Sequence, residues 1–199
     1  MTPSPSRPQV LAMAGSTREG SFNKRLLRIA VAGARAAGGD VTELDLRDVP
    51  LPLYDGDLEA REGIPPNGLR VKQLLLENHG LLIASPEYNS SFSGVLKNTL
   101  DWASRPAPGE SPLACFVGKV AVLMSASPGA LGGLRGLGHV RAMLSNIHVL
   151  VLPDQLAISK AHEAFTSDGR LNDARRHEAV EQLGRTLVEI LIKLQAPTT

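Results

Sequence analysis

The sequence predicts an α/β fold, a three-layer sandwich with a five-stranded parallel sheet and helices on both faces. Three observations carry this prediction. Short apolar runs of strand length alternate with longer segments of helical periodicity along almost the whole chain. The most apolar runs are continuous, as expected for strands that are covered on both faces. The regular succession of strand and helix is that of parallel sheets joined by crossover helices.

The individual elements follow from local patterns. The predicted strands are residues 9–14, 41–46, 80–84, 119–125 and 148–152. The first helix carries apolar residues at helical spacing from Leu26 to Ala34 and ends at Gly38-Gly39. Further helices are predicted at residues 67–78, 94–104, 134–146 and 172–195. Prolines and glycines interrupt residues 48–66, so this connection is predicted to be irregular.

Length and composition fit one domain. A chain of 199 residues with 43% hydrophobic residues can bury one sizeable core. Residues 1–8 contain three prolines and no periodic pattern, and they are predicted to form a disordered tail. The domain is therefore predicted to span residues 9–195, followed by a short tail at residues 196–199.

Charge and residue usage argue against several classes of protein. The 21 Lys and Arg residues balance the 20 Asp and Glu residues, so the chain lacks the basic footprint of nucleic-acid binding. Its first residues contain no apolar signal segment, and no stretch approaches the ~20 apolar residues that cross a bilayer. The single cysteine, Cys115, excludes an internal disulfide and is expected to be a packed small residue. The five histidines show no metal-binding spacing. We therefore expect a cytoplasmic protein without a metal, a nucleic-acid partner or a membrane partner.

The first loop, GSTREGSFN at residues 15–23, has the composition of a phosphate-binding loop. It joins the first strand to the first helix, and ligands of open parallel sheets bind at the carboxyl ends of strands. Glycines let the backbone approach a ligand, hydroxyl and amide side chains donate hydrogen bonds, and Arg18 supplies positive charge. The positive end of the following helix adds free N–H groups. The alternative interpretation is an ordinary polar turn capped by Ser21.

Two nucleotide-binding motifs do not fit the glycines of this sequence. Gly15 and Gly20 have the spacing that begins a triphosphate P-loop, but Ser21-Phe22 stand where Lys and Ser or Thr are required. Neither the first loop nor residues 129–138 contain the G-x-G-x-x-G pattern of dinucleotide-binding folds. A kinase or GTPase activity is therefore not expected.

A second motif, SPEYNSSFSGVLKNTLDW at residues 85–102, follows the third strand and so is predicted to lie beside the first loop. The pair of segments resembles the NADPH-dependent FMN reductase family, a flavodoxin-like group that includes chromate, quinone and azo-dye reductases. The order of strands and helices fits this resemblance across residues 9–195. The resemblance implies a flavodoxin-like fold, an FMN cofactor and an oxidoreductase activity.

The resemblance also implies roles for twelve residues. The first loop would bind the FMN phosphate through Ser16, Arg18, Ser21, Phe22 and Asn23. The second loop, residues 85–93, would border the isoalloxazine ring through Pro86, Glu87, Tyr88, Asn89 and Ser90. The glycine-rich segment, residues 125–138, would reach the pyrimidine side of the ring through Ser127 and Gly129.

Alternative interpretations of these residues stay open at this point. Tyr88 also fits a packed aromatic residue, and Glu87 and Asn89 also fit ordinary turn positions. The glycine-rich segment also fits a flexible connector. Its Arg135 either contacts a phosphate of the nicotinamide cofactor or is a solvated helix charge.

The implied reaction is hydride transfer from NADPH or NADH to bound FMN, and then to a quinone, azo compound, chromate or flavin acceptor. No side-chain nucleophile is needed, because a flavin carries the hydride chemistry. The alternative is a flavodoxin-type electron carrier that does not oxidise nicotinamide itself. Such carriers are typically strongly acidic, so the near-neutral charge and Arg18 favour the enzyme.

Proteins that resemble this one assemble as homodimers or homotetramers with the flavin near the contact. A homo-oligomer is therefore expected. Trp102 is then either a core residue or part of the subunit interface. Lys97 and Asp101, four residues apart, pair either on one helix surface or between subunits.

Overall fold

The computed structural model describes residues 7–195. Its strands are β1 (Gln9–Ala14), β2 (Asp40–Asp45), β3 (Gly80–Ala84), β4 (Glu87–Tyr88), β5 (Ser91–Phe92), β6 (Val120–Ala126) and β7 (Leu150–Ile158). Its α-helices are α1 (Phe22–Ala36), α2 (Gly56–Glu62), α3 (Pro66–Glu77), α4 (Gly94–Ser104), α5 (Leu134–Asn146), α6 (Ala161–Ala164) and α7 (Ala174–Gln195). Five strands form one parallel sheet in the order β2-β1-β3-β6-β7, and β4 pairs with β5 as a separate antiparallel hairpin. The predicted flavodoxin-like α/β fold is confirmed.

Each face of the sheet has its own core. Side chains alternate between the two faces of a strand. In β1, Val10, Ala12 and Ala14 belong to the core under α1 and α7, whereas Leu11 and Met13 belong to the core under α3, α4 and α5. Strand β3 is buried at all five positions, which explains its continuous apolar run.

Helices α1 and α7 lie in backbone contact on one face. A Cβ atom on Gly33 would come within 2.0 Å of the Glu181 carbonyl oxygen, and one on Gly184 within 1.9 Å of the Ala30 carbonyl oxygen. Real Cβ atoms do not approach backbone so closely, so only glycine fits at these two positions. Gly33 and Gly184 therefore set the distance between α1 and α7, the two longest helices.

Most predicted boundaries agree with the structure to within two residues, but β7 does not. It begins at Leu150 and continues to Ile158, well past the predicted end. Its register against β6 shifts between Val151 and Gln155, so a bulge interrupts the strand. Arg141 of α5 donates hydrogen bonds to the Val151 and Pro153 carbonyl oxygens beside the bulge. Pro153 and Asp154 break the apolar pattern there, and the prediction ended the strand too early for that reason.

The sequence also missed short elements that depend on neighbouring structure. Helix α2 lies within the predicted irregular connection, the hairpin β4–β5 lies within the second loop, and α6 follows β7. None is long enough to show a periodic pattern.

The structure also bears on the predictions for the chain ends, for Cys115, and for membrane spans and metal sites. Of the predicted N-terminal tail, residues 1–6 lie outside the described residues, as does the predicted C-terminal tail at 196–199. Pro8 is buried, and its carbonyl accepts a hydrogen bond from the Asp40 amide at 2.9 Å.

Cys115 is a packed residue as predicted, 2% exposed, and burial raises the pKa of its thiol to about 11. Across residues 7–195 no helix is long and apolar enough to cross a membrane, and no cluster of three His, Cys, Asp or Glu side chains could hold a metal.

The sheet order places three loops at one edge. Strands β1 and β3 are neighbours, and the chain leaves them toward opposite sides of the sheet, so their carboxyl ends mark the switch point of the fold. The Gly15 amide donates to the Ala84 carbonyl at 2.9 Å, and the Ser85 amide donates to the Met124 carbonyl at 2.9 Å. The first loop, the second loop and the glycine-rich segment therefore begin side by side.

Candidate functional site

A small cleft, with a volume of about 60 Å³, opens where these three segments meet. Nine of the twelve predicted residues line it: Ser16, Arg18, Ser21, Phe22, Asn23, Pro86, Glu87, Tyr88 and Ser127. Asn89 and Ser90 form the tip of the β4–β5 hairpin instead, and Gly129 is exposed beyond the cleft. The structure thus brings together residues from all three segments that the sequence singled out.

The first loop presents unused hydrogen-bond donors to the cleft. The Oγ atoms of Ser16 and Ser21 accept hydrogen bonds from the amides of Arg18 and Lys24, so each hydroxyl proton remains free to donate. Ser21 is the N-cap of α1, and the first two amides of that helix have no partner within it. Both serines are buried, with 4% exposure.

Arg18 completes this donor set. Its side chain is exposed and forms no ion pair with any carboxylate in residues 7–195. A guanidinium, two hydroxyl groups and the open end of a helix are the groups that hold a phosphate in proteins. The first loop therefore offers the groups that the phosphate of FMN would need.

The Asn23 side chain was predicted to contact the FMN phosphate, but it is bonded to the backbone of the protein instead. Its side chain donates to the Ala126 carbonyl at 2.9 Å and accepts from the Ala126 amide at 3.0 Å. This pair of bonds fastens the first turn of α1 to the end of β6. Asn23 can offer a ligand its backbone amide, while its carboxamide joins two walls of the cleft.

Sequence reasoning missed Ser93, which joins the first and second loops. As N-cap of α4 its Oγ accepts from the Leu96 amide at 3.3 Å, and the same hydroxyl donates to the Gly15 carbonyl at 2.6 Å. A Cβ atom on Gly15 would lie 3.0 Å from Cβ of Leu96, so a glycine allows this close approach. A serine directly before a helix is a visible signal for a cap, but its second bond spans 78 positions of sequence.

The second loop borders the cleft with Pro86, Glu87 and Tyr88, but the Glu87 carboxylate is already bonded to α5. Pro86 is buried and Tyr88 is 51% exposed. The Glu87 carboxylate accepts hydrogen bonds from the Gly136 amide at 2.9 Å and from Arg135 Nη2 at 3.0 Å. Burial by itself would raise the pKa of Glu87, but these hydrogen bonds outweigh it and the pKa is lowered. Arg135 is thus an ion-pair partner of the second loop.

Two glycines of the glycine-rich segment, Gly132 and Gly133, are tightly packed. A Cβ on Gly132 would come within 2.6 Å of the Ile158 backbone, and one on Gly133 within 1.9 Å of Ser125 Oγ. Both glycines also have positive φ, at +63° and +94°. The Ser127 amide donates to the Ile158 carbonyl at 3.0 Å, so the start of this segment is bonded to β7. Gly132 and Gly133 therefore bring this segment into close contact with the ends of β7 and β6.

Phe22 connects the cleft to a segment that sequence reasoning did not consider. Its ring stacks on Phe165, with ring centroids 6.1 Å apart and planes 8° from parallel. The Arg25 guanidinium lies 4.5 Å from the centroid of Phe165 and donates to the Thr166 carbonyl. The chain after α6 therefore supports the first turn of α1.

Comparisons with known proteins show the family of the chain. The family model for NADPH-dependent FMN reductase matches residues 8–163. An NAD(P)H-dependent FMN reductase of Pseudomonas aeruginosa is 39% identical over 176 residues, covering 87% of this chain and 90% of the relative. An NADPH:quinone oxidoreductase of Arabidopsis thaliana is 34% identical over 192 residues, covering 94% and 93%.

The fold has a solved counterpart as well. A flavoenzyme NAD(P)H:acceptor oxidoreductase from Paracoccus denitrificans superposes with a TM-score of 0.77 at 28% identity, covering 94% of this chain and 98% of that one. Sequence, fold and the donor set of the cleft agree, and the chain is an enzyme that belongs to the NADPH-dependent FMN reductase family, with FMN as its cofactor and NAD(P)H as its electron donor.

Proposed function

We propose that the cleft holds FMN with its phosphate on the first loop and its isoalloxazine ring against the second loop. The enzyme then takes hydride from NADPH or NADH and delivers electrons to a quinone. The observation that carries this proposal is the convergence of nine predicted residues on one cleft. The names of the relatives, which include quinone oxidoreductases from plants and bacteria, support the choice of acceptor.

FMN supplies the hydride-transfer chemistry when it is bound. The protein's own residues would bind FMN, orient it and shield it from solvent. Ser16, Ser21 and the first amides of α1 would donate hydrogen bonds to the phosphate, and Arg18 would offset part of its charge. Pro86 has a fixed φ and therefore stiffens the backbone that would border the ring.

Two substrates can use the open side of the cleft in turn. Tyr88, half exposed at the rim, offers a flat surface on which a nicotinamide or a quinone ring can pack. A shared position predicts that the oxidised nicotinamide must leave before the acceptor binds. The kinetics are therefore expected to be ping-pong.

Other acceptors and the assembly of subunits stay predictions of the same proposal. Azo compounds, chromate and free flavin are further candidates, and the location is expected to be cytoplasmic. A homodimer or homotetramer is expected, and analytical ultracentrifugation can measure the oligomeric state.

Within one chain Lys97 pairs with Asp101 at 2.6 Å, and Trp102 is buried with its Nε1 donating to the Pro52 carbonyl. The Trp102 ring therefore belongs to the core of the protomer.

An anaerobic titration tests the proposal. The purified protein is saturated with FMN, NADPH is added without oxygen, and bleaching of the flavin absorbance is followed before and after a quinone is supplied. We expect bleaching within the time of one turnover and return of the colour with the quinone. A protein that retains no FMN, or whose FMN is not bleached by NADPH or NADH, would contradict the proposal. Bleaching without reoxidation by any quinone would contradict the acceptor alone.

A further inference from the structure

The β4–β5 hairpin is too short to hold itself in place. Only two residue pairs form it, Glu87 with Phe92 and Tyr88 with Ser91. Its turn residues Asn89 and Ser90 have φ of +50° and +65°, the left-handed region in which a serine is unfavourable. An isolated two-stranded hairpin is marginal in water even when it is longer. Contacts outside the hairpin must therefore set its position.

Helix α5 supplies those contacts through its first turns. The residue before α5 is Gly133, which has no side chain to cap the helix. The Glu87 carboxylate takes this place, since Oε2 accepts from the Gly136 amide at 2.9 Å and Oε1 accepts from Arg135 Nε at 3.2 Å and from Nη2 at 3.0 Å. A carboxylate at a helix N-terminus is favoured by the free amides and by the helix dipole.

Further contacts hold the hairpin against the same helix. Nδ1 of His139 lies 3.0 Å from Oγ of Ser91. A Cβ atom on Gly136 would lie 3.3 Å from both Cβ of Glu87 and the Ser91 carbonyl oxygen, so the missing side chain leaves room for the hairpin. The side chain of Glu87 is only 10% exposed in this packing.

Strand geometry then determines where Tyr88 lies. Successive side chains of a strand point to opposite sides. Because the Glu87 carboxylate is bonded to α5, Tyr88 points away from that helix, and Tyr88, half exposed, lines the cleft beside Glu87. The position of Tyr88 therefore depends on a carboxylate whose hydrogen-bond partners lie on α5.

We propose that Glu87 is a positioning residue for the substrate side of the cleft. Its carboxylate seats the hairpin on α5 and so holds Tyr88 where the nicotinamide and the acceptor pack. This rests on the proposed function for the identity of the substrates, whereas the seating of the hairpin does not. The phosphate donors belong to the first loop, so Glu87 governs substrate binding far more than it governs retention of FMN.

Four FMN-saturated proteins test the proposal: the wild type, Glu87→Ala, Glu87→Gln and the control Glu189→Ala, an exposed helix residue that makes no ion pair within residues 7–195. KM and kcat are measured for NADPH and for a benzoquinone, FMN affinity by fluorescence titration, and hairpin mobility by hydrogen exchange of residues 88–92. We expect Glu87→Ala to raise both KM values about tenfold with a smaller change in kcat, because binding geometry is lost while the flavin stays. FMN affinity should change less than about threefold, and the hairpin amides should exchange faster.

Glu87→Gln separates positioning from a general loss of stability. The glutamine oxygen can still accept from the Gly136 amide, so most of the KM effect should be rescued while the pairing with Arg135 weakens. Unchanged KM values and hairpin exchange in Glu87→Ala, relative to Glu189→Ala, would overturn the proposal. An equal loss of FMN affinity and substrate affinity would overturn it too. If the wild type fails to oxidise NADPH, the proposed function falls, and the exchange measurement still decides whether Glu87 seats the hairpin.

Discussion

The first loop and the second loop border the same cleft, but their polar side chains have different partners. In the first loop Arg18 forms no ion pair in the described structure, and Ser16 and Ser21 keep a free hydroxyl proton. In the second loop Glu87 is bonded to α5 and Ser93 is bonded to the Gly15 carbonyl. The second loop thus borders the cleft with Pro86, Tyr88 and a carboxylate whose oxygens already have partners on α5.

The difference follows from what each loop would hold. A phosphate needs charge and many donors at short range, and these must be free in the protein without ligand. A flavin ring needs flat walls at fixed positions, and polar side chains can provide them indirectly by fastening the loop. Polar residues of a motif therefore divide into those that meet the ligand and those that hold the loop. Sequence alone does not distinguish the two groups.

Asn23→Ala should have the largest effect on stability. The polar side chains of Ser16, Arg18 and Ser21 keep free donors, whereas the Asn23 carboxamide holds the backbone of Ala126. The substitution leaves the buried amide and carbonyl of Ala126 without partners. Each unpaired buried group costs about 1–3 kcal/mol, so we expect a loss of about 2–5 kcal/mol. Urea unfolding of the protein without flavin measures it. Asn67→Ala, which removes a single exposed bond to Pro50, is the matched control and should cost less than about 1 kcal/mol. Equal losses in the two variants would show that Asn23 does not fasten the loop.

Ser93→Ala tests the link between the loops. It removes the cap of α4 and the donor to the Gly15 carbonyl, and a lost cap alone costs about 1 kcal/mol. Together with the unpaired carbonyl we expect about 2 kcal/mol, and a several-fold weaker binding of FMN because both walls loosen. Ser104→Ala removes one bond at the other end of the same helix and serves as the comparison. Full FMN affinity in Ser93→Ala would mean that the two loops act independently.

These residues also show how far the sequence could lead. The apolar runs and helical periodicities predicted all five strands of the main sheet, because buried strands leave their pattern in the sequence itself. The three segments singled out in the sequence predicted nine of the residues that line the cleft, since all three follow strands that end at one sheet edge. The partners of Asn23, Glu87 and Ser93 were not predictable, because each bond joins positions far apart in the chain. The hairpin β4–β5 was missed for the same reason, since α5 holds it.

Arg18→Ala isolates the free charge of the first loop. We expect FMN affinity to fall about tenfold, the scale of one charge-assisted hydrogen bond to a phosphate. Stability without flavin should change by less than about 0.5 kcal/mol, because Arg18 forms no ion pair with another described residue. Titration with riboflavin, which has the same ring and no phosphate, is the decisive control. Riboflavin affinity should stay unchanged, and a parallel loss for both flavins would place Arg18 against the ring instead of the phosphate.

The smallest expected effect concerns pH and the second loop. The pKa of Glu87 is lowered, because hydrogen bonds from the Gly136 amide and Arg135 outweigh the opposing effect of its burial. A carboxyl group whose pKa is lowered in the folded protein stabilises the fold when the pH is above the ordinary pKa of glutamate, about 4.3. This contribution is lost as the pH falls through the lowered pKa of the folded protein. Wild type should therefore be more stable than Glu87→Gln at neutral pH by less than about 1 kcal/mol, and the difference should vanish in acid. Thermal unfolding of both proteins between neutral and acidic pH measures it. A difference that grew on acidification would mean that the carboxylate is not held by α5, and the contrast between the two loops would then fail.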